Sequence, residues 1–478
     1  MRLIGRKREV EELTRIFESN NPEFVCVFGR RRVGKTFLIN KLFSSKYTFK
    51  HTALSIINED TNERITTIDQ LNHFKESLSR YGYDGNREIS NWFQAFYALE
   101  DLLEVSKDER KVVFIDELPW LDTYGSKFVN ALESFWNSWA NDKNIMLIIC
   151  GSANAWMTKK MLNNYAGLYN RITKEVELLP FTLKECEEFF QEKNISFSRY
   201  DIIQSYMVFG GIPFYLDYID ARYSLPQNID NIFYRRGAPL RDEFNKLFKS
   251  SFKSPELIMK IVKLLFKKSI GYSRTEIIKE LNLEEGELTT NLFNALSSSG
   301  FITKYRPVTS DRKTMYYKLI DPFCLFYLNF VDNNEVFDEN LFEVNYESMK
   351  IVSWRGLSFE NVCFNHIHQI KEALKISAIG SVFYPFIYIV DGKIESQIDL
   401  IIDRKDNIVN LCEMKFYGDE YLLNKEDYFK LLRKGKALSN FLNKKQIIRN
   451  TLITTFGLRK NDYSSLYQYV LTINDLFH

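Results

Sequence analysis

Cysteine is scarce and scattered in this sequence of 478 residues. The 6 cysteines form no Cys-x-x-Cys pair: Cys26, Cys150, Cys186, Cys324, Cys363 and Cys412. This distribution argues against a zinc ribbon and a disulfide scaffold, and it is typical of a reducing cytoplasm. No uninterrupted apolar run reaches the roughly 18 residues that a membrane-spanning helix requires. The N-terminal segment also lacks the apolar core of a signal peptide, so we expect a cytoplasmic protein that does not enter a membrane.

An excess of charge of either sign is also missing, since 64 Lys+Arg face 62 Asp+Glu and leave a formal net charge of +2. A near-neutral net charge neither favours nor excludes nucleic-acid binding, because a locally basic surface can exist on a protein whose charges balance overall. The 45% hydrophobic and 26% charged residues are ordinary values, which excludes a disordered or collagen-like chain. At roughly 150 residues per domain, the length predicts about three domains.

The first part of the chain alternates short apolar runs with helical patterns. Residues 24–28, 112–115 and 145–150 are apolar at every position, as a parallel strand covered on both faces requires. Long stretches of helical periodicity separate them, for example residues 92–105. This alternation predicts a three-layer α/β domain over residues 1–180.

Three further regions follow. Residues 181–252 have a helical pattern, opened by a capping box of Thr182 and Glu185, and we interpret them as a helical lid. Residues 253–332 contain three amphipathic helices and a hairpin of strands 301–307 and 315–319, which resembles a winged helix-turn-helix. A polar linker at 332–335 leads into a mixed α/β domain at 336–478.

A phosphate-binding motif lies between the first apolar run and a helix. Gly29-Arg-Arg-Arg-Val-Gly-Lys-Thr36 satisfies Gly-x-x-x-x-Gly-Lys-Ser/Thr without a mismatch. Its backbone N–H groups and the following helix N-terminus favour phosphate, Lys35 reaches the β- and γ-phosphates, and Thr36 coordinates Mg²⁺. We predict that ATP contacts the whole loop and the residue after it: Gly29, Arg30, Arg31, Arg32, Val33, Gly34, Lys35, Thr36 and Phe37.

Two acids at the end of the second apolar run complete the nucleotide site. A carboxylate at the end of a buried strand is costly unless it is solvated or engages a cation. We predict that Asp116 orients the Mg²⁺ held by Thr36 and that Glu117 polarises the attacking water. Two acids that merely start a loop are the alternative interpretation.

Two weaker candidates follow in the chain. Ser152, after the third apolar run, is placed as a polar sensor of the γ-phosphate, as is Asn154, although a serine after a strand is often only a cap. Arg171 is a candidate arginine finger that neutralises transition-state charge, although a surface salt bridge is the commoner role of such a residue.

Four segments together resemble the archaeal-type ATPase family of the AAA+/STAND branch of P-loop ATPases: Ile4-Gly-Arg-Lys-Arg-Glu9, the phosphate loop, Phe114-Ile-Asp-Glu117 and Gly210-Gly-Ile-Pro213. The resemblance covers about residues 1–330. It implies that Gly5 and Arg6 lie beside the adenine and that Pro213 approaches the nucleotide from the lid. It also implies a C-terminal companion similar to PD-(D/E)XK nucleases, with a restriction-endonuclease-like α/β fold.

A candidate second site lies in a hairpin near the end of the chain. Residues 397–402 and 408–416 are strand-like, and side chains alternate between faces, so Glu413 and Lys415 point the same way. Asp399 joins them only if paired positions have an even sum, and it faces away if the sum is odd. In the first case Asp399 and Glu413 share a divalent metal, and Lys415 activates a water or stabilises developing charge.

Upstream, Trp354-Arg-Gly-Leu-Ser-Phe-Glu360 begins a predicted helix and matches a box of the nuclease-like domains, which makes Glu360 a further metal-ligand candidate. The resemblance implies Mg²⁺-dependent phosphodiester cleavage, usually of DNA. Two alternatives stay open: an exposed hairpin with an ordinary Glu/Lys ladder, and a catalytically silent domain that binds nucleic acid or protein in a signalling ATPase.

Basic residues favour DNA as a partner of the C-terminal domain and of the wing. Downstream of the hairpin, cations outnumber acids: Lys425, Lys430, Arg433, Lys434, Lys436, Lys444, Lys445 and Arg449. The wing carries Lys304, Arg306, Arg312 and Lys313, whereas the helix that would read base edges has three acids and no basic residue in 284–296.

His366 and His368 do not share a helix face, which argues against a zinc pair. A homo-oligomer stays open.

Overall fold

The computed structural model describes residues 2–55, 63–152, 154–162, 170–252, 254–306, 314–332, 339–390 and 393–478. The chain forms two compact units. The first unit consists of Met1–Pro180, Asn245–Ile258 and Thr290–Ser299, and the second of Phe181–Phe244, Met259–Thr289 and Gly300–His478. The predicted fourfold division at residues 180, 252 and 332 stays a prediction.

The described elements alternate along the chain as follows. The strands are β1 (Glu23–Phe28), β2 (Phe49–Thr52), β3 (Lys111–Asp116), β4 (Ile145–Gly151), β5 (Lys174–Glu177), β6 (Tyr272–Ser273), β7 (Ile302–Tyr305), β8 (Tyr316–Leu319), β9 (Ser381–Val390), β10 (Lys393–Arg404), β11 (Ile408–Lys415), β12 (Ile447–Thr454) and β13 (Tyr469–Leu471). The helices before β6 are α1 (Lys7–Glu18), α2 (Lys35–Phe43), α3 (Thr67–Arg80), α4 (Trp92–Val105), α5 (Phe128–Ser138), α6 (Asn154–Met157), α7 (Leu183–Glu192), α8 (Arg199–Phe209), α9 (Pro213–Leu216), α10 (Leu225–Phe233), α11 (Glu243–Ser251) and α12 (Pro255–Phe266). The helices after β6 are α13 (Arg274–Leu281), α14 (Glu287–Ser298), α15 (Pro322–Phe330), α16 (Leu341–Val344), α17 (Met349–Asn365), α18 (Ile367–Ala373) and α19 (Lys425–Ser439).

The first unit contains a parallel sheet with the strand order β2-β3-β4-β1-β5. β4 is buried at every residue and β1 at all but its first, as their apolar sequences predict. Helices α3, α4 and α5 supply an aromatic core in which Trp92 makes edge contacts with Phe74 and Phe128, at ring-centroid distances of 5.6 and 4.9 Å. The α/β architecture predicted for this part of the chain is confirmed.

The predicted helices and hairpin of residues 253–332 are present as α12, α13, α14, β7 and β8, with β6 added between the first two helices. The strands form an antiparallel sheet in the order β6-β8-β7. A capping box of Ser273 and Glu276 begins α13, and the predicted capping box of Thr182 and Glu185 begins α7. Residues 307–313, which include Arg312 and Lys313, and most of the predicted linker at 332–335 lie outside the described residues.

The C-terminal sheet has the order β13-β12-β11-β10-β9. β10 runs antiparallel to β9 and β11, while β11, β12 and β13 are mutually parallel. Leu431 and Leu438 of α19 pack with Leu411 of β11 in its core. The prediction that a helix begins at Trp354 is wrong, because α17 begins at Met349, after Ser348, whose side chain caps the N–H of Ile351.

None of the helices within the described ranges combines the length and the apolarity that a bilayer crossing needs.

Candidate functional site

The phosphate loop connects β1 to α2 and has backbone conformations that favour glycine at both ends. Gly34 has φ +93° and is the N-cap of α2, while Gly29 has φ +148°. A Cβ on Gly29 would lie 2.2 Å from the carbonyl oxygen of Leu178, closer than any real contact. The two glycines therefore allow the loop to wind beside β5 and to lead into the helix N-terminus.

Lys35 lies within the loop. Its Nζ donates hydrogen bonds to the carbonyl oxygens of Gly29 (2.9 Å) and Arg30 (3.0 Å), and the residue is only 6% exposed. A buried ammonium needs acceptors, and here backbone carbonyls supply them. The cation is thus held where the motif requires a charge for phosphate.

Thr36, in the first turn of α2, meets Asp116, the last residue of β3, although β4 lies between β3 and the strand β1 that leads into the loop. The Thr36 hydroxyl donates to Asp116 Oδ2 at 2.7 Å, and the other carboxylate oxygen accepts the N–H of Glu117 at 2.9 Å. A hydroxyl and a carboxylate at this separation are oxygen ligands of the type that Mg²⁺ prefers. The structure therefore brings the predicted pair of metal ligands together.

Glu117 follows Asp116 in a left-handed backbone conformation, with φ 50°. Burial raises the pKa of its carboxyl group, the Lys35 ammonium opposes that shift, and Asp116 adds to it. The Ser152 hydroxyl donates to Glu117 Oε2 at 3.0 Å. Ser152, predicted as a phosphate sensor, here orients the predicted water-polarising acid.

The other predicted nucleotide contacts surround the loop. Arg6 donates through Nη2 to the carbonyl oxygens of Leu179 (2.6 Å) and Val33 (3.3 Å), so it ties the N-terminal segment to the loop. Both Gly5 and Arg6 have positive φ, 61° and 57°. These contacts place Arg6 beside the loop, and its role beside adenine stays a prediction.

The remaining candidates have different environments. Arg31 donates to the carbonyl oxygen of Ser250 at 3.3 Å, and its guanidinium lies 6.0 Å from the Trp120 ring. Phe37 is 39% exposed at the start of α2, available to a ligand as the prediction requires. Three other predicted residues lie as follows: Arg32 has a left-handed φ of 72°, Arg171 is in an exposed turn, and Pro213 begins α9 in the second unit. Their proposed roles stay predictions.

The C-terminal hairpin has the register that the second site needs. Leu400 pairs with Cys412 in the last registered pair, so the paired positions have an even sum, and the same register continued by one position puts Asp399 on the face of Glu413. Lys415 Nζ lies 3.7 Å from Glu413 Oε2, as expected for residues on one strand face. Asp399 Oδ2 accepts the N–H of Met414 at 2.8 Å.

Lysines accompany the acids of this site. Lys434 of α19 donates to Glu413 Oε1 at 2.5 Å, and Lys318 of β8 lies 4.0 Å from Glu360 of α17. Burial raises the pKa of Glu360 to about 7, the Asp399 charge adds to the shift, and Lys318 and Lys415 oppose it. Burial and Asp399 also raise the pKa of Glu413, against the effect of Lys434 and Lys415.

Among the residues that the structure describes, no group of three or more His, Cys, Asp or Glu side chains is arranged to hold a metal ion. The predicted set of Glu360, Asp399 and Glu413 therefore does not form a single metal-binding group. In the structure, Glu360 and Glu413 have lysine partners, and Asp399 accepts a backbone N–H. Asp399 and Glu413 remain the facing pair.

A groove of about 710 Å³ borders Asp399, between β10 and α19. Its lining includes four cations of one helix, Lys430, Arg433, Lys434 and Lys436. A surface of this charge beside carboxylates suits a phosphate backbone. The sequence located these cations, but it did not reveal that Lys434 contacts Glu413. The spacing of four residues between Lys430 and Lys434 could have indicated that both lysines lie on one face of the helix.

Comparison with known proteins places the nucleotide site in context. Residues 3–219 match the family model described as an ATPase domain predominantly from Archaea. An uncharacterized protein of Methanocaldococcus jannaschii is 25% identical over 444 residues, which cover 91% of this chain and 92% of that protein. Two solved structures are similar: the Walker-type ATPase of Pyrococcus abyssi (TM-score 0.47, 19% identity, 68% of this chain and 96% of that one) and the ORC2 protein of Aeropyrum pernix (TM-score 0.40, 14% identity, 68% and 93%). Residues 3–219 of this chain are thus similar to an ATPase domain that is found predominantly in Archaea.

Proposed function

We propose that the first unit binds ATP with Mg²⁺ and hydrolyses it. The observation that carries this proposal is the 2.7 Å hydrogen bond between Thr36 and Asp116, two residues 80 positions apart whose side chains converge beside a buried lysine. Thr36 and Asp116 are the residues that would hold Mg²⁺, which supplies charge stabilisation to the transferred phosphoryl group. The backbone N–H groups of the loop and Lys35 bind the phosphates.

Glu117 is the residue proposed to orient the attacking water. Its carboxyl group is hydrogen-bonded by Ser152, so it has one fixed orientation. Its negative charge is favoured by Lys35, although burial disfavours it. Glu117 is therefore a base that accepts a proton from water, and Ser152 is a positioning residue.

ATP turnover tests this proposal. We expect Lys35→Ala to lose nucleotide binding and turnover, and Glu117→Gln to retain binding while turnover falls by at least about 100-fold, the scale of a lost general base. Lys41→Ala, on the same helix beside the exposed Phe37 ring, is the matched control and should behave as the wild type. Full turnover in Glu117→Gln would overturn the role of Glu117, and full turnover in Lys35→Ala would overturn the proposal.

A second activity is favoured by the C-terminal hairpin. We propose that residues 336–478 form a restriction-endonuclease-like module that cleaves phosphodiester bonds, preferably of DNA. The even register of the hairpin puts Asp399 on the face of Glu413, Lys415 lies 3.7 Å from Glu413, and a basic groove borders Asp399. Asp399 and Glu413 are the residues that would hold Mg²⁺, which typically takes one or two carboxylates together with waters and phosphate oxygens.

Lys415 is proposed to stabilise the charge that develops on the attacked phosphate. Burial lowers its pKa but the neighbouring Glu413 and Asp399 carboxylates raise it by more, so it stays an ammonium. A fixed cation at a developing anion stabilises the transition state.

The cleavage assay uses the full chain with Mg²⁺ and single-stranded, duplex and branched DNA. We expect Lys415→Ala and Asp399→Asn to lose cleavage, whereas Lys405→Ala, in the turn of the same hairpin, should cleave normally. If the purified wild type cleaves none of these DNA forms, the module is instead a binding domain of a signalling ATPase, and DNA binding without cleavage would identify it.

We further propose that α12, β6, α13, α14, β7 and β8 form a winged helix whose wing contacts DNA backbone without reading sequence. Strands β7 and β8 follow the three helices, and β6, which pairs with β8, lies between α12 and α13. Lys304 and Arg306 lie at the described end of the wing, whereas the segment that begins α14 is acidic and would repel a duplex. Sequence-independent binding should therefore weaken in Lys304→Glu.

A further inference from the structure

Lys434 has two environments at once. Its Nζ lies 2.5 Å from Glu413 Oε1, and its side chain also lines the basic groove together with Lys430, Arg433 and Lys436. Among these four groove cations it is the one for which the structure records an ion pair with a hairpin carboxylate. It therefore connects the surface that suits a polyanion to the carboxylate that we propose as a metal ligand.

The Glu413 carboxylate is almost completely surrounded by protein, with only 7% of its side chain exposed. Its two oxygens each have a lysine partner, Lys434 at 2.5 Å and Lys415 at 3.7 Å. A carboxylate buried to this extent requires a counter-charge. The Lys434 ammonium provides this counter-charge in the structure.

A divalent cation on Glu413 Oε1 would lie next to the Lys434 ammonium, and repulsion between the two positive charges disfavours both at one carboxylate oxygen. If Lys434 leaves Glu413 without another anion to contact, it becomes a partly buried unpaired charge, which is costly. A phosphate in the groove offers such an anion at the same helix face. Binding of the polyanion and binding of the metal should consequently favour each other.

We propose that Lys434 is the counter-ion that a divalent cation must displace from Glu413, and that nucleic-acid phosphate in the groove takes it up. This inference rests on the proposed metal site of the nuclease-like module and adds its regulation. The module then holds metal weakly until a phosphate backbone is present, and by linkage the metal tightens the binding of that backbone by the same factor.

The experiment measures Mn²⁺ binding by the full chain, without nucleotide, with and without a phosphorothioate duplex that resists cleavage. In the wild type and in each variant, the Mn²⁺ binding assigned to this site is the fraction that disappears when Asp399→Asn is also introduced. We expect Lys434→Ala to bind Mn²⁺ roughly tenfold more tightly than the wild type without DNA, a change of about 1.4 kcal/mol. The duplex should tighten Mn²⁺ binding severalfold in the wild type and leave it almost unchanged in Lys434→Ala.

Lys430→Ala is the matched control. Lys430 lines the same groove, but its ion pairs are with Glu426 and Asp427 of its own helix. Its loss should weaken DNA binding and leave Mn²⁺ affinity without DNA at the wild-type value. Equal Mn²⁺ affinity in Lys434→Ala and the wild type would overturn the inference, as would equal tightening by DNA in both.

The outcomes also separate this inference from the proposed cleavage. If the wild type cuts DNA but Lys434→Ala leaves Mn²⁺ affinity unchanged, the role of Lys434 is wrong and the nuclease proposal stands. If Lys434→Ala tightens Asp399-dependent Mn²⁺ binding and no DNA is cut, the inference stands and the cleavage proposal fails. If no variant shows Asp399-dependent Mn²⁺ binding, both fail.

Discussion

His366 is a neutral hydrogen-bonding link inside the second unit. Its Nε2 accepts the N–H of Leu183 at the start of α7 (2.9 Å), and its Nδ1 lies 2.8 Å from the carbonyl oxygen of Val362 in α17. The first contact requires a lone pair on Nε2, so the proton is on Nδ1. Burial lowers the pKa of His366 to about 4. Although the sequence argued only against zinc at this residue, the structure gives it a role in joining two helices.

We predict a pH dependence of stability that His366→Gln removes. Below about pH 6.5 the unfolded chain gains a proton on this residue, whereas the folded protein gains it only near pH 4. The free energy of unfolding should therefore fall as the pH falls through this window, by roughly 3 kcal/mol at most. Urea unfolding at pH 7 and pH 4.5 measures the slope in both proteins.

The matched control for this prediction is His368→Gln. The His368 side chain is 72% exposed and contacts only Glu372 of its own helix, at 3.4 Å, among the ion pairs of the described residues. This variant should keep the wild-type pH dependence. An identical slope in His366→Gln and the wild type would show that another group causes the acid sensitivity.

At the scale of the elements, Gly271 determines how β6 approaches β8. It has φ +79°, and a Cβ there would lie 2.1 Å from the carbonyl oxygen of Tyr317. We predict that Gly271→Ala lowers the free energy of unfolding by at least about 2 kcal/mol, since left-handed strain alone costs about 1–2 kcal/mol. Denaturant unfolding checks this value. Gly286→Ala is the control, because a Cβ there meets nothing within 4 Å, and an equal loss in both variants would refute the steric explanation.

The elements that the sequence predicted are those whose signal is local. The apolar run 24–28 became β1 because strands buried on both faces need apolar residues throughout, and the capping box at Thr182 begins a helix as expected. The sequence predicted two alternative registers for the hairpin, because the number of residues in the turn decides between them. In the structure, Asn407 in this turn has a left-handed φ of 63°. The contacts of Lys434 and Lys318 were not predictable, since they join elements far apart in sequence.

At the scale of the whole molecule, the chain passes from one compact unit to the other after Pro180, Phe244, Ile258, Thr289 and Ser299. Helices α12 and α14 each contain one of these crossings. Two helices therefore contribute residues to both units, so an effect of nucleotide in the first unit on the second unit can be tested. We expect that the nucleotide state controls the DNA cleavage that we propose for the C-terminal module.

The prediction is that ATP increases the cleavage rate of the wild type about 5- to 150-fold, the range of a coupling free energy of about 1–3 kcal/mol. Glu117→Gln, which retains ATP, should stay in the stimulated state after a single addition of nucleotide, whereas wild-type stimulation should decay as ATP is consumed. Lys35→Ala should cleave at the unstimulated rate with or without ATP, because it lacks the nucleotide that favours the active conformation. Time courses of DNA cleavage measure all three, with Lys415→Ala as the inactive baseline. Equal, ATP-independent rates in the wild type, Glu117→Gln and Lys35→Ala would mean that the two units act separately.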